Sequence, residues 1–233
     1  MDYILPRLAQ CQKANGRHDP QFKGYCAGLP GSIAAFKQAL AGNINVGDPK
    51  ALFSFSLNGM WSPWYSIHKI MAGLRDVWLH VGRKQARDIL IGMADWCAEF
   101  PAKLNQAQMQ TMLISEQGGM NEVLADVYSI TGKHKYLKIA EAFNEKSQLD
   151  PLMLKKDILT GCHSNQYIPR VIGIARQYEL GGGDKFRTGS EFFWQTVVRH
   201  RSYVFGGKIG RPPRTAAIKR RSIQGGILLC SFN

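Results

Sequence analysis

Two imidazoles, His68 and His163, stand in polar stretches of similar make-up. Trp64, Tyr65 and Lys69 surround the first, and Cys162, Asn165 and Gln166 the second. A third stretch holds Glu116, Gln117, Asn121 and Glu122, broken by Gly118 and Gly119. Amides, imidazoles and flat aromatic faces together suit a neutral, hydroxyl-rich ligand, which needs directional donors and acceptors rather than net charge. Glu116 and Glu122 are the only nearby carboxylate pair for acid–base work, which requires close approach to the reacting atom. Each group also has a plainer reading. Asn121 is a good helix N-cap, and Glu122 in a first turn gains from the helix dipole. His68 shares a face with Trp64 and Met71, as a core histidine would. Trp61, Trp64 and Tyr65 fit either a stacking surface or the core. His163 and Asn165 fit a simple turn.

The elements that must position these residues are legible from a repeat. Gly82, Gly132 and Gly182 are 50 residues apart, as are Trp78, Tyr128 and Tyr178, and Leu74, Leu124 and Ile174. Beyond each glycine, Ala86, Tyr136 and Phe186 match, and so do Met93, Phe143 and Phe193. A fixed period of this size marks stacked supersecondary units. Each unit reads as helix, tight turn, helix. In the first, Ile67, Ile70, Met71, Leu74, Val77, Trp78 and Val81 form an amphipathic stripe. Gly82 ends it as a left-handed residue, and Ile89, Leu90, Met93, Trp96 and Cys97 turn inward on the partner helix. The second copy spans Glu122 to Phe143. The third spans about Ile168 to Val198, with Pro169 in a first turn and Asp184 as N-cap. Residues 15–32 are rich in Gly and Pro and read as loop, followed by a short helix over Ile33–Ala41. Each hairpin has an apolar face that only a neighbour can cover. Stacked hairpins bring equivalent helix ends to one rim, so the three polar stretches are expected to converge there.

Bulk properties narrow the classes. The 233 residues are 45% hydrophobic and 20% charged, an ordinary globular balance. No apolar run is long enough for a membrane span. The start, "MDYILPRLAQCQ", shows no basic region leading into an apolar core, so the chain as written reads as cytoplasmic. Cys11, Cys26, Cys97, Cys162 and Cys230 are scattered and form no CxxC pair, which argues against a disulfide framework or zinc knuckle. Six of the basic residues behind the +13 net charge fall in Gly207–Asn233, which contains no acid. That tail has no interleaved aromatics and no base-reading motif, so nucleic acid is not the expected partner.

The stretches "FSLNGMWSPWYSIHKIMAGLRD", "EQGGMNEVLADVYSITG" and "GCHSNQYIPRVIGIARQYEL" resemble the β-L-arabinofuranosidases of glycoside hydrolase family 127. So do "LPRLAQCQKANG", "GYCAGLPGS" and "FFWQTVVRHRSYVFGG". The resemblance implies an all-α fold, part of an (α/α)6 toroid built from helical hairpins. It covers the N-terminal part of the catalytic domain, residues 1–207, with 208–233 expected to be a non-homologous, disordered basic tail. It also implies a carbohydrate ligand of the arabinofuranoside type. By motif, sugar contacts carry over to His68 in "IHK" and His163 in "CHSNQ". Gln117 stands where the family shows His in its EHGG motif, and Asn121 and Glu122 match "GGMNE". The expected substrate-binding residues are therefore Trp64, His68, Gln117, Glu122, His163 and Asn165.

The same family continues with a general-acid glutamate, a Glu-(Ser/Thr)-Cys motif and a Cys-Cys pair. By resemblance these supply the acid, the thiolate nucleophile and a zinc site. None of these motifs is present here, and Cys162 has no second sulfur beside it. No catalytic residue and no metal ligand are expected in this chain, which reads as a truncated and inactive relative. The alternative is a helical-repeat interaction module without catalysis. Either way, exposed hairpin faces favour self-association.

Overall fold

A computed structural model describes residues 1–48 and 54–202. The tail expected at 208–233 lies outside the described residues. Ten α-helices, two short 3-10 turns and one hairpin of two two-residue strands make up the elements there. The chain is all-α, as its periodicity implies.

The three hairpins form where the repeat puts them. They are α3 (Pro63–Val81) with α4 (Lys84–Glu99), α6 (Met120–Thr131) with α7 (His134–Ala142), and α9 (Ser164–Glu179) with α10 (Asp184–His200). The matched apolar positions Leu74, Leu124 and Ile174 are buried, as are Met93, Phe143 and Phe193. Gly82 and Gly132 cap their helices at φ 70° and 69°, the left-handed conformation that costs glycine least. The third turn is shifted by one residue. There Gly181 carries the positive φ of 94°, and Gly182 is needed for space, since a Cβ on it would lie 2.7 Å from the Gln177 carbonyl oxygen. Each turn also has a ring on one helix met by the next. Arg87 lies over Trp78, His134 packs on Tyr128, and Arg187 lies over Tyr178.

The first helices stack side by side in the order α3, α6, α9, and α4 lies against α7 behind them. The remaining helices are α1 (Ile4–His18), which packs on α4, α2 (Ser32–Leu40), α5 (Gln106–Leu113) and α8 (Lys146–Met153), which packs on α10. Several of these details correct the sequence reading. Residues 15–18 continue α1 rather than forming loop, and a short 3-10 turn follows at Pro20–Phe22. Gly16 is tolerated inside the helix because Lys23 passes close by; a Cβ at 16 would sit 3.1 Å from the Lys23 Cα. Helix α9 begins at Ser164, so Pro169 lies inside it rather than in its first turn. Gly183, not Asp184, is the N-cap of α10.

The apolar core is divided. One cluster joins α1–α4 to α6 and α7 around the rings of Phe36, Trp64, Trp96, Phe100 and Phe143. A second gathers Leu149, Leu152, Tyr167, Ile174, Phe186 and Phe193 from α8, α9 and α10. The seam between them, where α6 meets α9, is polar. The buried face of α9 runs Gln166, Arg170, Gly173, Gln177, all at helical spacing.

Candidate functional site

The seam defines how the site is built. Asn121 is not a cap. Gly119 occupies the N-cap position of α6 and makes no side-chain cap bond. The fully buried Asn121 instead donates from Nδ2 to the Arg170 carbonyl and to Asn144 Oδ1, both at 2.9 Å. Asn144 in turn donates to Gln177 Oε1 at 2.8 Å. Gly173 has no side chain because Asn121 occupies the space where its Cβ would go. Next along the seam, the wholly buried Arg170 lies with its Nη1 2.8 Å from Glu145 Oε2 and donates to Gln148. Burial pushes the Glu145 carboxyl up and the Arg170 guanidinium down, and each offsets the other. Arg170 Nε and Nη2 find no acceptor among the described residues.

At the end of the seam the first two polar stretches touch, and the third reaches Glu116 through the charges of His163 and Arg170. His68, on α3, is 6% exposed, and its ring lies against Gly118 and Gly119. A Cβ on Gly118 would sit 2.5 Å from His68 Nδ1, and one on Gly119 3.0 Å from Nε2 and 3.2 Å from Glu122 Oε2. The two glycines are thus a flat cradle for the imidazole, with Tyr65 edge-on to it at 6.0 Å. Burial lowers the His68 pKa to about 4, helped by the positive charges of Lys69 and Arg75. The ring is therefore neutral at neutral pH, with Nδ1 unpartnered among the described residues.

Gln117 is fully buried, and neither its Nε2 nor its Oε1 meets a partner among the described residues. Gln166, 2% exposed in the first turn of α9, is in the same condition. Glu116 accepts a 3.2 Å bond from Ser62 Oγ. Burial raises its pKa, while Ser62 and then the charges of His163, Arg170 and Lys69 pull it down. Those influences join Lys69 of α3, Glu116 of the segment leading into α6, and His163 and Arg170 at the cap and on the body of α9. His163 is half-buried at the N-cap of α9, and Asn165 is exposed in the first turn of that helix. Glu122 has one oxygen beside Gly119 and the other, Oε1, 3.2 Å from Arg75 Nη1. Burial raises its pKa and Arg75 opposes the shift.

Trp64 is the expected site residue that leaves the site. It is wholly buried, ringed by Phe36, Trp96, Phe100 and Phe143 at centroid distances of 4.9–5.5 Å. Its flat faces are taken by core aromatics, so it has none to offer a ligand. Ser62, Gln166 and Arg170 are the residues the candidate set lacked. A polar stripe at helical spacing, 166, 170, 173 and 177, was the available signal, because a helix face of that kind needs polar company.

A family model described as the β-L-arabinofuranosidase, GH127 catalytic domain matches residues 1–212. The chain belongs to this glycoside hydrolase family. No curated protein matches it. The match ends a few residues past Gly207, and residues 213–233 fall outside it. The cysteine beside His163 is engaged with local backbone. Cys162 Sγ donates to the Ile158 carbonyl at 3.4 Å, and burial raises its pKa against the pull of Arg201 and Arg170. Among the described residues no three His, Cys, Asp or Glu side chains converge as a metal-binding group.

Proposed function

We propose that this chain of the family presents a sugar-binding rim for a neutral, arabinofuranose-like terminal residue and does not hydrolyse it unaided. The observations that carry the reading are two buried, unpartnered amides, Gln117 next to the glycines that cradle the neutral His68 and Gln166 in the first turn of α9. A buried polar group without a partner costs roughly 1–3 kcal/mol, a cost that a hydroxyl-bearing ligand removes when it binds. Amides that both donate and accept, next to an uncharged imidazole, match the hydroxyls of a furanose better than they match an anion. Glycoside hydrolysis needs an acid for the leaving oxygen and a nucleophile or base opposite it. Glu116 is tied to Ser62 and Glu122 to Arg75, and the sequence holds no Glu-x-Cys or Cys-Cys motif.

The test uses one substitution and two readouts. Gln117→Leu keeps the side-chain volume and removes both unpaired atoms. It should stabilise the free protein by about 1–3 kcal/mol in urea titrations and abolish binding of methyl β-L-arabinofuranoside measured by calorimetry. A loss of stability with binding retained refutes the reading. Release of arabinose from a chromogenic arabinofuranoside by the wild-type chain would overturn the claim of incompetence.

A second reading has its own observation. An apolar groove of about 680 Å³ runs along α9 and α10, with Trp194 62% exposed beside Ile172 and Val198. An apolar patch of that kind favours self-association through this hairpin face.

A further inference from the structure

The two tryptophans of "MWSPW" have opposite fates. Trp64 is buried in the core, whereas Trp61, three residues earlier, is 67% exposed. Trp61 closes a two-stranded hairpin, Ser56–Leu57 with Met60–Trp61, and its indole lies flat on Phe55 at 4.8 Å with an interplanar angle of 13°. An exposed indole with one covered face is a surface that hydrophobic burial alone would remove.

This hairpin is keyed to the rim. Ser54 N donates to the Ile114 carbonyl and Glu116 N donates to the Ser54 carbonyl, both at 2.8 Å. Ser54, next to Phe55, is thereby stitched to the segment that carries Glu116 and Gln117. On the other side, Ser62 N donates to the Phe55 carbonyl at 2.6 Å, and Ser62 Oγ reaches Glu116 Oε2 at 3.2 Å. Ser62 itself has φ 38° and ψ 53°, left-handed backbone at a residue with a side chain. Such a conformation persists only where its surroundings hold it, and it clusters at binding sites. Here it reverses the chain between an outward Trp61 and an inward Trp64 while setting the Ser62 hydroxyl on Glu116.

We propose that Trp61, backed by Phe55, is a stacking platform for the second sugar ring of a glycan whose terminal residue sits on the rim. The proposal rests on the sugar-binding reading above. The C–H face of a sugar is apolar and packs on an indole, and the uncharged platform discriminates for chain length rather than for charge. Trp61 directly precedes Ser62, whose hydroxyl meets Glu116, so its indole would take the ring that follows the terminal one.

The test compares methyl β-L-arabinofuranoside with an L-arabinofuranose disaccharide, by calorimetry on the whole chain. The wild type should bind the disaccharide about three- to tenfold more tightly. Trp61→Ala should bring the two affinities together, and Trp61→Phe should keep most of the preference. A disaccharide preference that survives Trp61→Ala overturns the platform alone. Failure of the wild type to bind either sugar overturns the rim reading and the platform with it. If Trp61→Ala instead converts a dimer to a monomer in sedimentation, the indole is a protein contact and the proposal falls.

Discussion

Protonation of His68 is the perturbation whose size follows most directly from the structure. The ring is enclosed by α3 and the Gly118–Gly119 cradle, and its pKa falls from an ordinary 6.5 to about 4, first through burial and then through Lys69 and Arg75. In the unfolded chain this histidine takes up a proton as the pH falls through its ordinary range, while the folded chain does not. More protons are bound by the unfolded state in that window, so stability must fall on acidification. At about 1.36 kcal/mol per unit, the full effect is about 3 kcal/mol, reached near pH 4, with about 2 kcal/mol already lost near pH 5. Buried carboxyls work the other way. Glu116, Glu122 and Glu145 have raised pKa values and favour the folded state as they protonate. A comparison isolates the histidine. Urea unfolding of the wild type and of His68→Gln, at about pH 7 and pH 5, should show the wild type losing about 2 kcal/mol more than the variant. Proton NMR of the His68 ring should place its midpoint near 4. Equal acid sensitivity in the two proteins, or a ring titrating near its ordinary 6.5, would refute the burial argument and with it the picture of a neutral imidazole in the site.

Asn121→Asp separates the two readings of that residue. A helix cap welcomes Asp, but the observed site would bury a carboxylate against the Arg170 carbonyl and Asn144, so the unfolding free energy should drop by about 3 kcal/mol or more. Trp194→Glu should dissolve any dimer built on the α9–α10 groove. A sedimentation profile that is dimeric for the wild type and unchanged in the variant would place the interface elsewhere.

Much of the fold was legible because it is written locally. The period of 50 and the glycines at 82 and 132 mark turns whose backbone angles are set by the residues within them. The third turn shows the limit of that reading. Its run of three glycines offers several left-handed candidates, and the close approach of Gly182 to Gln177 and Phe186 selects Gly181. Helix α1 was missed because its glycine and polar residues look like loop until α4 packs against them.

The site was legible in part, and for a clear reason. His68, Gln117 and His163 stand out by type, and α3, α6 and α9, on or before which they lie, pack side by side. What the sequence by itself determined is the all-α class, the three hairpins and the helix ends on which the polar residues sit, because helical periodicity and left-handed turns depend on neighbours a few residues away. Only the tertiary structure decided which polar groups are buried and what faces them. Asn121 becomes a bridge because Gly173, 52 positions later, leaves it room. Trp64 turns to the core and Trp61 to solvent because the strained Ser62 between them is held by Glu116, a contact spanning 54 positions. The cost or gain of a buried polar atom is set by whatever packs opposite it, and in stacked hairpins that partner comes from another repeat.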